Sequence, residues 1–167
     1  MLRAEEYLRA VVAARVPVFG ICFGHQMLAQ ALGGLVAKNW RGREIGTVNV
    51  ELVSDDMLFA ETTAPFRANA THVDTVEVLP PGAVVLARSE LEPNAALRFS
   101  DNAWGVQFHP EMDGAIIREF LAARRDLLAR EGLDAAALLA SAADTPESAA
   151  LLKRFAEFVK DPAKLRP

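Results

Sequence analysis

The stretch Pro17–Gly34, PVFGICFGHQMLAQALGG, constrains this chain more than any other. Val16–Ile21 is a short apolar run of the kind that forms a strand buried on both faces. Gly20-Ile21-Cys22-Phe23-Gly24 follows, and Gln26–Leu32 then has a helical pattern closed by Gly33-Gly34. A buried strand, a Gly-x-nucleophile-x-Gly turn and a helix make a nucleophile elbow, here built on cysteine. Such a turn is sharp, and side chains at Gly20 or Gly24 are expected to collide with the neighbouring strand or helix. Cys22 would then sit at the tip, where the helix N-terminus favours a thiolate. The backbone N–H of Phe23 would point at an oxyanion formed on a carbonyl attacked by the sulfur. The competing reading of a lone cysteine is a small buried hydrophobe.

What weighs against that reading is a base far downstream, in Trp104–Glu111, WGVQFHPE. Trp104–Phe108 reads as another buried strand and Pro110 ends it. His109 falls at the strand end and Glu111 two residues later, placed to accept the second imidazole N–H and fix the tautomer. A cysteine and a histidine so distant in sequence are expected of a pair assembled by folding.

Together, GICFGHQMLAQALGG and GVQFHPE closely resemble the class I (triad) glutamine amidotransferases, and the resemblance runs from about Pro17 to Glu111. It implies that Cys22 is the nucleophile, that His109 and Glu111 complete the triad, and that L-glutamine is the substrate. It implies a substrate-binding set of Gly24, Gln26, His72, Val73 and Asp74. Within that set, His72-Val73-Asp74-Thr75-Val76 resembles a His-x-Asp-x-Val segment whose turn faces the glutamine α-amino and α-carboxylate groups. From the residues alone, His72 fits a loop hydrogen bond as well as a substrate site. The resemblance further implies a three-layer, flavodoxin-like α/β domain with a mostly parallel sheet, an antiparallel portion, and the site at the strand C-termini. Ammonia would pass to a separate synthetase or acceptor subunit, since no such region is recognisable here. Two other classes stay open: a cysteine hydrolase of another γ-glutamyl amide, and a non-catalytic relative that binds a partner.

In that family several strand–helix elements precede the elbow, one loop among them supplying a second oxyanion donor. Only Met1–Val16 precedes it here. The expectation is therefore of a single domain over residues 1–167, N-terminally incomplete and a poor glutaminase alone. Val16–Ile21 would lie at or near an exposed sheet edge, which would also allow copies to pair.

Bulk properties exclude several alternatives. A net charge of −4 offers no electrostatic case for nucleic acid or anionic membranes. One cysteine excludes an intrachain disulfide and suits a reducing compartment. With no apolar leader and no apolar run long enough to span a bilayer, the composition points to the cytoplasm. There is no Walker A or GxGxxG fingerprint, and His25, His72 and His109 match no compact zinc spacing, so neither cofactor nor metal is expected. His25 reads as a structural histidine bonding the helix start, and Trp40 and Trp104 as packing residues. Leu2–Ala14 reads as an amphipathic helix, Gly46–Val53 as a half-exposed strand, and Ala95–Phe108 as a hairpin. The alanine-rich end reads as helices over Gly114–Arg130, Asp134–Ala142 and the segment from Pro146.

Overall fold

A computed structural model describes residues 2–161 of the chain. Helix α1 (Leu2–Ala13) leads into β1 (Val18–Ile21), and α2 (Phe23–Ala31) starts immediately beyond Cys22. Then come β2 (Leu35–Lys38), β3 (Glu44–Leu52), a 3-10 turn at Met57–Phe59, β4 (Phe66–His72), β5 (Asp74–Val78), β6 (Val84–Arg88), β7 (Ala96–Ser100) and β8 (Ala103–Val106). Four helices close the described chain: α3 (Gly114–Ala123), α4 (Arg125–Arg130), α5 (Ala135–Ser141) and α6 (Pro146–Lys160).

Six strands form one sheet in the order β1-β8-β7-β6-β3-β4, while β2 and β5 pair separately. Side chains alternate across it as a pleated strand requires. In β8, Ala103 packs with Leu28, Ala29, Leu97 and Phe99 beneath α1 and α2. Trp104 and Val106 instead join Phe66, Leu86, Phe108, Leu151 and Phe158 on the α6 side. Each of these fully buried large side chains contributes on the order of 1.5–3 kcal/mol. Helices thus cover both faces, giving three layers. A third cluster, built on Ile45, Ile117, Leu121 and Leu128, holds α3, α4 and α5 against the start of β3.

Pairing within the sheet departs from a mostly parallel arrangement. Only β1 and β8 run parallel, whereas β8–β7, β7–β6, β6–β3 and β3–β4 are antiparallel. The cause is connection length: β6, β7 and β8 follow one another through short loops, and a parallel neighbour needs a crossover of about a dozen residues or more. Among the described residues β1 has one strand neighbour, so the expected edge position holds. Its faces are covered nonetheless, Phe19 stacking on Phe155 of α6 with ring centroids 5.2 Å apart.

The helix expected over Gly114–Arg130 breaks at Arg124, whose φ of −108° and ψ of 10° separate α3 from α4. The break lets Leu121 and Leu128 enter the same cluster. Pro146 opens α6 as anticipated, although Thr145 supplies no side-chain cap. Trp104 is buried, but Trp40 is 74% exposed on the β2–β3 loop with the Arg41 guanidinium over its ring, so only one tryptophan packs as expected.

Candidate active site

Two glycines side by side make the elbow. Gly20 of β1 lies opposite Gly105 of β8, and the first turn of α2 rests on both. A Cβ at Gly20 would come within 2.6 Å of the Gly24 backbone, and one at Gly105 within 2.6 Å of His25 Nδ1. Gly24 differs from expectation: a Cβ there would meet nothing within 4 Å. The sharp turn needs Gly20, whereas Gly24 leaves open space at the helix start. Between them Cys22 adopts φ 48° and ψ −101°, a left-handed φ that costs a residue with a side chain about 1–3 kcal/mol and persists only where its surroundings enforce it. The enforcement is visible in the backbone. Cys22 N–H donates to Val106 O at 2.8 Å, and Cys22 O accepts from Gln26 N–H at 3.1 Å.

His109 and Glu111 follow β8, on either side of Pro110. His109 Nδ1–H donates to Glu111 Oε1 at 2.6 Å, and the ring also interacts with the Cys22 side chain. Burial works to lower the His109 pKa, but the neighbouring Cys22 and the Glu111 carboxylate outweigh it and raise the value to about 9. Burial would raise Glu111, yet the bond from His109 holds it below the ordinary carboxylate range. The signs define a window. The His109 contribution to stability is complete below the ordinary 6.5 and is lost as pH rises through about 9. The Glu111 contribution is present above the ordinary 4.5 and fades as pH falls through its lowered value.

The loop carrying this pair is clamped by Asn69 of β4, a residue to which no motif points. Asn69 is fully buried and its carbonyl accepts from His109 N–H at 2.7 Å. Its side-chain Nδ2 donates to Met112 O at 2.9 Å and Ala143 O at 3.3 Å, while Oδ1 accepts from Thr47 Oγ1 at 2.7 Å. Asn69→Ala strips these partners and leaves buried polar groups unsatisfied. It should destabilise the domain by about 2–4 kcal/mol, read as a lowered denaturation midpoint in urea.

Gln26, on α2, is buried and lines a cleft of about 340 Å³ with Phe23, Met27, Gln30, Val36, Asp74 and Glu5. Its Nε2 donates to Asp74 O and to Gln107 Oε1, both at 3.0 Å. Asp74, at the head of β5, is exposed, and Val73 is half-buried with its carbonyl held by Asn39 N–H at 2.8 Å. His72 lies buried behind that turn. Its Nδ1–H donates to Asp74 O at 3.0 Å and its Nε2 meets Glu44 Oε2 at 3.0 Å. Glu44 also accepts from Ser89 Oγ. Glu92, fully buried nearby, accepts from Thr75 Oγ1 at 2.8 Å, and burial raises its pKa. The expected substrate-site residues therefore divide: Gln26 and Asp74 reach the cleft, and His72 supports the turn from inside. Glu44, Glu92 and Asn69 lie outside both motifs, and Gln107 lies within GVQFHPE, where the reading of that motif gives it no role of its own.

His25 also differs from expectation. It caps no helix: it is fully buried against Phe99, with its ring beside the Gly105 and Asn94 backbone. Burial drives its pKa down to about 3, so it is a neutral core residue seated beneath Gly105. Arg43, on the loop before β3, pairs with Glu131 at 2.7 Å.

A cysteine at a strained strand–helix turn thus lies near a half-buried histidine bonded to a carboxylate, on a three-layer α/β domain. Residues 2–122 match the family model of glutamine amidotransferase class-I, and the chain belongs to that family. It is 45% identical over 116 residues to a glutamine-hydrolysing GMP synthase of Thermomicrobium roseum, covering 66% of this chain and 22% of that protein. It is 40% identical over 109 residues to one subunit of the glutamine-hydrolysing GMP synthase of Pyrococcus abyssi, covering 65% of this chain and 57% of the other. The chain thus spans well under two thirds of either relative. Among solved structures, a glutamine amidotransferase of Thermotoga maritima superposes with a TM-score of 0.77 at 31% identity, over 94% of this chain and 68% of that one. A glutamine amidotransferase from Methylobacillus flagellatus gives 0.77 at 28% identity, over 100% and 70%. The flavodoxin-like α/β fold agrees with these neighbours. No helix among the described residues is long and apolar enough to cross a membrane.

Proposed function

We propose that the chain hydrolyses the side-chain amide of L-glutamine and releases ammonia for an acceptor held by another polypeptide. The observation that carries this reading is Cys22 at φ 48°, one residue before Phe23 of the cleft and interacting with a histidine already bonded to Glu111 at 2.6 Å. His109 takes the thiol proton, and the sulfur attacks the amide carbon. The tetrahedral oxyanion is met by the backbone N–H of Phe23, a first-turn donor that α2 itself cannot satisfy. The C–N bond then breaks, His109 returns its proton to the leaving ammonia, and a γ-glutamyl thioester remains. Water hydrolyses the thioester, giving glutamate and the free thiol. Both amide hydrogens of Gln26 are engaged, so its remaining offer to a ligand is the acceptor Oε1, suited to an N–H of the substrate. Open space over Gly24 and the exposed Asp74 complete the substrate cleft in this reading.

The test is ammonia and glutamate measured together, with and without a synthetase subunit of the type that accepts ammonia. Equimolar products are expected, and failure to release either product in both settings overturns the proposal. Activity should fall above about pH 9, where His109 loses the proton that the leaving ammonia needs. Glu111→Gln removes part of what raises that pKa. It should move the alkaline limb to lower pH and reduce turnover by about 10- to 100-fold. An unchanged pH profile would show that Glu111 does not orient the base.

A further inference from the structure

Gln107 immediately follows β8, has no part in the triad, and is 1% exposed. Its amide Nε2 lies 3.4 Å from Cys22 Sγ. The two ends of a glutamine amide are nearly isosteric, so which end faces a partner must follow from the surrounding network. Here a backbone carbonyl decides it. Asp74 O can only accept, so the Gln26 atom 3.0 Å away is the NH2 group. That same NH2 lies 3.0 Å from the Gln107 amide and requires an acceptor there, which turns the Gln107 oxygen toward Gln26 and its NH2 toward the sulfur. The carbonyl at the head of this relay is itself anchored, since His72 Nδ1–H donates to it at 3.0 Å and Glu44 holds the far side of that ring.

We propose that Gln107 is a further catalytic residue, whose Nε2–H, aimed by Gln26 and the Asp74 carbonyl, donates to the Cys22 sulfur and stabilises its thiolate. The proposal rests on Cys22 being the nucleophile. The sulfur is then held between a fixed N–H donor and the imidazole that removes its proton. A bond to an ionised acceptor is about twice as strong as one to a neutral acceptor, so the donor favours thiolate over thiol. It also favours the sulfur as leaving group when water opens the thioester. The titratable groups around the sulfur are His109 and Glu111 after β8, with Asp74 and Glu5 in the adjoining cleft. Gln107 carries no charge in any state, so it acts on the sulfur as a hydrogen-bond donor alone.

Cys22 is the only cysteine in the chain, so iodoacetamide reports on one thiol without any need for activity. Alkylation rate followed against pH should give a midpoint that rises by about one unit in Gln107→Met, which matches the volume and lacks the donor. In the same variant kcat for glutamine should fall more than KM changes. A folded Gln107→Met protein with the wild-type midpoint overturns the proposal and leaves Cys22 as nucleophile untouched. A Cys22 that resists alkylation even above its ordinary titration range overturns the nucleophile reading and this one together. Should the variant fail to fold, the unmodified protein decides. The Gln107 side-chain amide resonance must titrate with the Cys22 midpoint and stop doing so after alkylation. A resonance indifferent to Cys22 overturns the proposal.

Discussion

Cys22→Ala is expected to lower glutamine hydrolysis by at least about 10⁴-fold, because the covalent route loses its only nucleophile. Stability should change by less than about 1 kcal/mol, since alanine tolerates the left-handed φ no better and no worse than cysteine and the sulfur is only half-buried. Ammonia release and thermal denaturation, measured on the same preparation, separate the two effects. Near-normal turnover in this variant would remove Cys22 from the chemistry and with it the triad. A variant that is inactive because it has unfolded would instead mean that Cys22 is a core residue.

Gly20→Ala is the opposite case, a change that removes no reacting group yet should destroy the fold. The new methyl would lie 2.6 Å from the Gly24 carbonyl carbon and oxygen and 2.7 Å from His25 N, all of them backbone atoms that cannot rotate aside. Relief requires α2 to lift from β1 and β8, which would open the packing of Leu28 and Ala29 and move Cys22 off its bond to Val106 O. We expect a loss of about 3 kcal/mol or more, read in urea, and largely insoluble protein if the domain is only marginally stable. Gly24→Ala is the control. With nothing within 4 Å of its methyl it should fold as well as wild type or better, and its cost should appear as a raised KM for glutamine. Equal stability losses at both positions would mean that α2 does not rest on Gly20 in the way described.

The contrast between these two glycines shows where sequence reading stops. Both belong to one five-residue motif, and the motif gives each the same requirement in the turn. Only the packed structure shows that Gly20 faces the α2 backbone while Gly24 faces open space. His25 and His72 divide in the same way. Each is a histidine beside a motif, yet one ends as a neutral core residue packed on Phe99 and the other as a link between Glu44 and the Asp74 carbonyl.

What the sequence by itself determined is local. The strand–turn–helix at Cys22, the His109–Pro110–Glu111 strand end, and the hairpin of β7 and β8 are each set by neighbouring residues, through glycine geometry, proline's missing donor and apolar alternation. Only the tertiary structure decided the rest. The mainly antiparallel sheet depends on which strands pair, and periodicity within a strand carries no information on its partner. The supports of the site are equally non-local: Gln107 reaches Cys22 across 85 positions, Gln26 reaches Gln107 across 81, and Asn69 reaches Met112 across 43. A buried amide or carboxylate becomes legible as part of a site when folding has removed water from it and left one partner within reach, because only then must its hydrogen bonds be satisfied by named neighbours.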